Sequence, residues 1–234
     1  MKNVLRLAAL SAPALALACS ASAMPILFAD DFESGDLSSP QGDMASWVVA
    51  DNAALATVSS VNPIDGNFSL RTNDNTTGSR VRAVGFFTPD TTTDPLEVSF
   101  DSRMDSFVAG NSNNLALRSG TAERFLILWD DGALRYRVGG GSLTTFGAYL
   151  TQTQNFQILT DRDAGTYDVV VDGVTLVADV AGATDFDNVQ ISTGLFNGSQ
   201  QDWTLDNIRV AVPEPGVATL MLAGLLATFR RRRG

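Results

Sequence analysis

The sequence lacks the residues on which much enzyme and metal chemistry depends. It contains no histidine and a single cysteine, Cys19, near the N-terminus. The absence of histidine excludes histidine-ligated metals and every histidine-based catalytic triad. If the N-terminal segment is removed after Ala23, no thiol remains. A disulfide, a zinc–thiolate site and a cysteine nucleophile are then excluded as well.

Basic residues are scarce in residues 24–211, here called the body. The whole chain has a formal net charge of −10, and without the six basic residues and the one acidic residue of the two ends the body carries about −15. Such a surface repels nucleic acid and anionic membranes, so nucleic acid is not an expected partner, whereas divalent cations suit it. The body's acids are mostly aspartate, with glutamate only at Glu33, Glu97 and Glu123.

The body also lacks helical periodicity. Short segments of alternating apolar and polar residues are separated by Gly, Asn and Asp, which predicts one all-β domain with an antiparallel sandwich architecture. The expected strands include Ser69–Asn73, Arg80–Thr88, Leu96–Arg103, Asn114–Arg118, Asn155–Thr160, Val189–Leu195 and Trp203–Val210. The polar stretch from Asn197 to Asp202 is expected to be a loop.

One expected hairpin turns at Asp172-Gly173, which is a strong signal for a type I′ turn. A two-residue loop predicts the pairs Val171 with Val174, Val169 with Leu176, and Tyr167 with Ala178. All six residues are apolar, so we expect them to share one buried face.

A second expected hairpin turns at Asp131-Gly132 and pairs Trp129 with Leu134, Ile127 with Tyr136, and Phe125 with Val138. Its other face combines Leu126 and Leu128 with Arg135 and Arg137. These four residues form a candidate ligand-binding face, because an arginine fork beside an apolar surface suits a sugar. The alternative is a solvated outer face of the sheet.

The N-terminus has the pattern of a secretory signal peptide over residues 1–23. Two cationic residues precede the apolar stretch Leu7–Ala18, and Ala21-Ser22-Ala23 is a small-residue cleavage site. We expect cleavage between Ala23 and Met24. An alternative is lipidation of Cys19, because the residues before it faintly resemble a lipoprotein cleavage box.

The C-terminal segment, residues 212–234, has three ordered parts. Pro213-Glu214-Pro215 is held extended by its prolines, Gly216–Phe229 is an uncharged run of 14 residues, and Arg230, Arg231, Arg232 and Arg233 follow. A helix over the apolar run would be about 21 Å long, shorter than the ~30 Å hydrocarbon core but able to insert where the bilayer thins. The arginines would stay on the cytoplasmic side and place the body on the other side. The alternative is a short C-terminal helix that packs on the body.

These three parts, in this order, resemble the PEP-CTERM sorting signal of Gram-negative bacteria. The resemblance implies that an integral-membrane cysteine protease, exosortase, cuts at the Pro-Glu-Pro element. The body would then be exported through the inner membrane, transiently anchored there, and passed on to the cell surface or the extracellular matrix. The signal predicts where the body is sent and gives no information on its activity.

The body resembles the concanavalin A-like lectin/glucanase jelly roll of the laminin G-like kind. The resemblance lies in the opening run Ala29–Ser38, in Gly165–Gly173 and in the closing segment Trp203–Val210. It implies a sandwich of two antiparallel sheets in which the N- and C-terminal strands lie side by side. It also implies a structural calcium ion where these strands meet.

The resemblance assigns Glu33 and Asp206 as the carboxylates of this calcium site, with Asp31 and nearby carbonyl groups as further ligands. Calcium takes several oxygen ligands, which aspartate-rich loops provide. The alternative is that these aspartates cap turns. A second aspartate-rich segment, Asp161–Gly165, lacks the closing glutamate of a calcium loop and is predicted to be a turn.

A catalytic role is not expected. Jelly-roll glycanases of this superfamily carry two glutamates and an aspartate on one strand, but here Glu97 is followed only by Asp101 and Asp105. Neighbours in that row would be about 13 Å apart, wider than the ~5–9.5 Å that glycosidase mechanisms require. The jelly-roll resemblance implies a non-catalytic protein that binds extracellular polysaccharide, but the residues alone do not separate this from a structural role. The alternatives are a purely structural matrix protein and a glycan hydrolase or lyase.

Overall fold

A computed structural model describes residues 25–42, 45–51, 55–74, 81–88, 95–106, 110, 112–193 and 201–213. Within these residues the regular elements are β-strands, and there is no α-helix. The strands are β1 (Ile26–Asp30), β2 (Ser46–Asp51), β3 (Ala56–Ser59), β4 (Ser69–Asp74), β5 (Val81–Phe86), β6 (Leu96–Met104), β7 (Ser112–Ser119), β8 (Ala122–Asp130), β9 (Ala133–Val138), β10 (Thr144–Ala148), β11 (Gln154–Asp161), β12 (Thr166–Val171), β13 (Val174–Ala181), β14 (Asn188–Thr193) and β15 (Gln201–Ala211).

The strands form two antiparallel sheets. The eight-stranded sheet has the order β13-β12-β11-β6-β15-β4-β3, with β1 added beside β15. The seven-stranded sheet has the order β10-β9-β8-β7-β14-β5-β2. The predicted all-β antiparallel sandwich is therefore confirmed.

Alternating side chains from both sheets fill the space between them. In β6 every second residue from Leu96 to Met104 is buried, which is the period-2 pattern of a strand with one face in the core. Trp129 and Trp203 meet across the core with ring centroids 4.9 Å apart, and the Trp203 indole N–H donates to Ser102 Oγ at 2.8 Å. This bond satisfies a polar group that burial would otherwise leave without a partner.

The long strand β15 joins the two ends of the body. Along the edge that faces away from β6, its first half pairs with β4 and its second half pairs with β1. Between the halves, the register shifts after Asp206, and Asn207 adopts a positive φ of 51°. The N- and C-terminal strands of the body therefore lie side by side, and Asp206 lies where β1 ends and β4 begins.

The hairpin at Asp131-Gly132 has the predicted register. Trp129 pairs with Leu134, Ile127 with Tyr136, and Phe125 with Val138. Asp131 and Gly132 both have positive φ, at 49° and 79°, as a type I′ turn requires. Local turn chemistry and strand alternation were sufficient here because the ladder contains no bulge.

The hairpin at Asp172-Gly173 forms, but most of its predicted register is wrong. Only the pair of Val171 with Val174 is found; Val169 faces Val177, and Tyr167 faces Val180. Two register shifts in the β12–β13 ladder, each with an extra residue in β13, cause the difference. At one of them Asp168 Oδ1 accepts a hydrogen bond from the backbone N–H of Asp179 at 2.7 Å.

The predicted continuous buried face of this hairpin is therefore wrong as well. Val177 faces the core, while Val174 and Leu176 are 58% and 41% exposed. The bulges shift the alternation of β13 against β12, which turns Leu176 to solvent. Val174 keeps its predicted pair with Val171 but is exposed beside the turn on the edge strand.

All seven strands expected from the sequence are present, with ends that differ by a few residues. The residue patterns did not predict β2, β3 and β10, and they gave no bounds for β1, although the jelly-roll resemblance implied an N-terminal strand beside the C-terminal one. It also placed Gln201 and Asp202 in a loop, whereas β15 begins at Gln201. The segment Asp161–Gly165 is a turn, as predicted, in which the backbone N–H of Ala164 donates to Asp161 Oδ1 at 2.8 Å.

Candidate functional site

The outer face of the seven-stranded sheet carries the four residues predicted for ligand binding. Leu126 and Leu128 of β8 lie directly opposite Arg137 and Arg135 of β9. The core side of the same two strands is formed by residues such as Phe125 and Trp129. The structure therefore brings the predicted set together on one face.

Both predicted arginines on this face have carboxylate partners. Arg137 makes a bidentate pair with Glu123 at 2.8 and 2.7 Å, and these hydrogen bonds raise its pKa. Arg135 Nη1 lies 2.7 Å from Asp130 Oδ2. Leu126 is only 6% exposed. A ligand at this end of the face would therefore have to compete with existing ion pairs.

The face continues across six strands in cross-strand register. One row contains Arg137, Leu126, Ala116, Gln190, Val84 and Val48, in order from β9 to β2. With strands about 4.8 Å apart, this row is about 24 Å long. Cross-strand neighbours share a face of the sheet, so the row forms one continuous surface.

A groove of about 240 Å³ lies on this face near β5 and β14. It is lined by Val48, Ala50, Arg82, Val84, Phe86, Arg118, Gly120, Thr121, Asn188 and Gln190. Phe86 and Val48 are 39% and 49% exposed, so an aromatic ring and an aliphatic side chain are accessible from solvent. The groove therefore offers apolar surface beside hydrogen-bonding groups, which is the usual composition of a small-molecule site.

The polar side chains of the groove are held in place by hydrogen bonds. Arg118 Nη1 donates to Gln190 Oε1 at 3.1 Å. Asn188 Nδ2 donates to Asp187 Oδ1 at 2.6 Å and to the carbonyl of Gly120 at 3.3 Å. Asn188 and Gln190 are largely buried although they face outward. Their positions are thus fixed before any ligand binds, which reduces the entropy cost of binding.

The sequence patterns did not predict the groove residues Phe86, Arg118, Asn188 and Gln190. One signal was present in the doublet Phe86-Phe87, because adjacent residues of a strand point to opposite faces. Only one of the two rings can enter the core, and Phe87 does so against Phe186 at 6.0 Å.

The residues predicted to bind calcium line a second pocket, of about 170 Å³, at the junction of β1, β4 and β15. Its lining residues are Asp31, Glu33, Asp65, Gly66, Asp206 and Asn207. The bulge in β15 and the ends of the two neighbouring strands place these residues together. The three predicted carboxylates therefore share one pocket.

Hydrogen bonds already hold the carboxylate of Glu33. The backbone N–H groups of Phe68 and Asn67 donate to Glu33 Oε1 at 3.0 and 2.8 Å, and these bonds lower the pKa of Glu33. Asp31 Oδ1 accepts from the backbone N–H of Glu33 at 3.2 Å, which is the geometry of a turn cap.

Asp206 lies deeper and is 1% exposed. Burial raises its pKa, while hydrogen bonds from Ser69 Oγ at 2.7 Å and from the backbone N–H of Asn207 and Asp65 oppose that rise. Burial likewise raises the pKa of the neighbouring Asp30, whose Oδ2 accepts from the Trp47 indole N–H at 2.6 Å. The charges of Asp206 and Asp31 raise it further.

This pocket fits calcium only in part. Among the residues that the structure describes, no three Asp, Glu, His or Cys side chains form a group that could hold a metal ion. Calcium takes six to eight oxygen ligands, so main-chain carbonyls and water would have to complete the shell around these carboxylates. The calcium site stays a prediction.

Of the predicted processing residues, only Pro213 is described. It follows β15 and is half-buried, and the backbone N–H of Val212 before it donates to the carbonyl of Pro25 at 3.1 Å. The signal peptide with Ala23 and Met24, and the tail with Glu214, Pro215 and Arg230–Arg233, lie outside the described residues. Within the described ranges there is no helix long and apolar enough to cross a membrane.

No protein-family model matches the chain, and no curated protein matches it in sequence. Solved structures do match in fold. A sialidase is 14% identical with a TM-score of 0.61, and the match covers 82% of this chain but 19% of the sialidase chain. The cellulose-induced protein Cip1 is 14% identical with a TM-score of 0.58, with 79% of this chain and 97% of that chain covered.

The binding domain of Paraclostridial Mosquitocidal Protein 1 is also similar. It is 11% identical with a TM-score of 0.60, and the match covers 85% of this chain and 51% of that chain. At such identities the likeness shows the fold alone, because one fold supports many functions. An enzyme and a binding domain both occur among these structures, so the shared fold does not decide between the two roles.

Proposed function

We propose that this protein is exported to the cell surface or extracellular matrix, where its β-sandwich binds a glycan without cleaving it. The observation that carries this proposal is the groove on the outer face of the seven-stranded sheet. There an exposed aromatic ring, Phe86, lies beside two ordered amide side chains, Asn188 and Gln190.

Sugars present two kinds of surface to a protein. The C–H face of a pyranose ring packs on aromatic and aliphatic side chains such as Phe86 and Val48. The hydroxyl groups at its edge exchange hydrogen bonds with amides, which both donate and accept. The groove provides both kinds of partner within one cavity of about 240 Å³. Glycan recognition therefore agrees with its chemistry.

Binding without hydrolysis is supported by the composition of the groove. A glycosidase needs two carboxyl groups about 5–9.5 Å apart on either side of the scissile bond. None of the lining residues given above is acidic. On the same face, Glu123 and Asp130 are already paired with arginines. The names of two structural neighbours, a sialidase and a cellulose-induced protein, support a glycan as the ligand class.

The finer architecture and the sorting also form part of the proposal. We assign the sandwich to the concanavalin A-like jelly rolls because of its opening and closing motifs and because β1 pairs with β15. We assign the tail as a PEP-CTERM signal on its three ordered parts. Its partners would be an exosortase-type protease and the membrane. Pro213 leaves the end of β15, so a cut beyond it would leave the sheet intact.

A structural calcium ion at Asp31, Glu33 and Asp206 completes the proposal. It would neutralise carboxylates that the fold gathers in one pocket and would thereby tie β1 to β15. The support is the shared pocket together with the raised pKa of Asp206.

A glycan array probed with the full-length chain tests the proposed function. We expect binding to a defined group of oligosaccharides, and a loss of affinity on the order of tenfold for Phe86→Ala, equivalent to about 1.4 kcal/mol. Leu176→Ala is the matched control, because Leu176 is 41% exposed but belongs to the other sheet. Absence of binding to every glycan, or an equal loss in both variants, would contradict the proposal.

A further inference from the structure

The groove contains an arginine whose described hydrogen bonds go only to neutral oxygens. Arg118, near the end of β7, donates to Gln190 Oε1 at 3.1 Å and to the main-chain carbonyl of Thr121. It forms no ion pair with any carboxylate in the described part of the chain. Six other arginines there do have carboxylate partners: Arg71, Arg82, Arg103, Arg124, Arg135 and Arg137.

The carboxylate placed opposite Arg118 is bound to another residue. Glu123 is the cross-strand neighbour of Arg118, but both of its oxygens accept hydrogen bonds from Arg137. The sheet therefore brings two arginines to one glutamate, and the bidentate pair goes to Arg137. The positive charge of Arg118 is left facing the groove without compensation from Glu123.

Two aspartates adjoin lining residues of the groove in sequence, Asp187 beside Asn188 and Asp51 beside Ala50, and both have partners. Asp187 accepts hydrogen bonds from the backbone N–H of Gly120 at 3.0 and 3.2 Å and from Asn188. Asp51 lies 3.6 Å from Arg82. Inside the groove the charged lining residues are Arg82 and Arg118. Arg82 is paired with Asp51, so Arg118 is the lining charge that has no carboxylate partner among the described residues. In a chain of net charge −10, such a guanidinium is complementary to an anionic group.

We propose that the groove binds the uronic-acid units of an acidic polysaccharide, and that Arg118 determines this specificity. A guanidinium has five N–H donors in a planar fork that matches a carboxylate, and two contacts to neutral oxygens leave donors available. Phe86, whose strand is next to β14, would contact the ring of the same sugar. This inference rests on the proposed glycan-binding function and names its ligand class.

Calorimetric titration of the full-length chain tests the inference. The probes are an oligogalacturonate and its carboxyl-reduced counterpart, which keeps the chain length but lacks the charge. We expect the uronate to bind about 10- to 100-fold more tightly than the reduced sugar, and Arg118→Gln to remove most of that difference, because a hydrogen bond to a charged group is lost. Arg209→Gln, which makes the same charge change on the eight-stranded sheet, should leave the affinity unchanged.

The outcomes separate this inference from the function on which it rests. Equal binding of both probes, or preference for the reduced sugar, would overturn the uronate assignment while leaving glycan binding intact. If no oligosaccharide on the array binds, the glycan-binding function itself fails. If Arg118→Gln is poorly folded, the uronate affinity of Arg118→Lys tests the role of Arg118 instead. It keeps the charge but lacks the fork, so it should bind the uronate more weakly than wild type, and an unchanged affinity would refute the role of Arg118.

Discussion

Substitution of Gly85 by alanine tests how the first strand packs on the seven-stranded sheet. An ideal Cβ atom on Gly85 would lie 2.6 Å from Cζ and 2.9 Å from Cε2 of Phe28. Phe28 is fully buried and meets Trp47 edge-on with ring centroids 5.1 Å apart. The ring therefore cannot move away without losing contacts on its other side.

The expected magnitude follows from two opposing effects. Overpacking a filled core costs about 1–3 kcal/mol. Replacing glycine by alanine inside a strand gains roughly 0.5–1 kcal/mol from backbone entropy. The clash is the larger effect, so Gly85→Ala should destabilise the fold by about 1–2 kcal/mol. For a domain of this size, that corresponds to a fall of roughly 2–8 °C in the thermal midpoint.

Thermal unfolding of the full chain, followed by far-UV circular dichroism, measures this change. Gly147→Ala is the matched control, because its Cβ would lie 3.5 Å from Leu176 Cδ1, an ordinary contact distance. We expect it to raise stability by roughly 0.5–1 kcal/mol, because the gain in backbone entropy applies in β10 without a clash. Adding Phe28→Leu to Gly85→Ala should cost less than the two single changes together, since the clash is relieved. A midpoint for Gly85→Ala equal to that of Gly147→Ala would refute the packing described here.

Three further predictions concern the C-terminal segment and the pocket lined by Asp31, Glu33 and Asp206, here called the acidic pocket. Millimolar calcium should raise the thermal midpoint relative to chelator, and Asp206→Asn should remove most of the rise; an unchanged midpoint in wild type would end the calcium assignment. In chelator, the ionised Glu33 should stabilise the fold above pH 4.5, and this stabilisation should be lost as the pH falls through the lowered pKa of Glu33. Glu33→Gln should therefore make the urea midpoint depend less on pH over that acidic range. Wild-type and variant midpoints that fall in parallel with pH would contradict this. The intact mass of the mature protein should lack Gly216–Gly234, and replacing Pro213–Pro215 with alanines should retain that segment; a mature form that keeps its arginines would refute the sorting signal.

The sequence predicted those parts of the fold that depend on neighbouring residues. At Asp131-Gly132, the turn type and the alternation of β8 and β9 fix the register without reference to the rest of the chain. At Asp172-Gly173, the turn is equally clear, but a first register shift beside Val169 displaces every pair beyond the first two residues of each strand. A second shift, at the Asp168 side chain, displaces Tyr167 further. Turn residues specify where a hairpin reverses; they do not specify where its ladder is interrupted.

The groove could not be predicted in this way. Phe86, Arg118 and Gln190 lie on three strands that are far apart in sequence, and their contact depends on the order β7-β14-β5 within the sheet. The absence of an ion pair at Arg118 depends further on Arg137 from a fourth strand. The acidic pocket was easier to predict, because its main residues lie near the two ends of the body and the jelly-roll resemblance places those ends together.

Hydroxyl-radical footprinting of the full-length chain, with and without a bound oligosaccharide, tests most directly whether the groove is the binding site. Phe86 is both reactive and 39% exposed, while Leu150, at 49%, follows β10 outside the groove. We predict that the ligand suppresses oxidation of Phe86 and leaves that of Leu150 unchanged. If protection is confined to the eight-stranded sheet or to the acidic pocket, and Phe86 is oxidised as in the free protein, the groove is not the binding site.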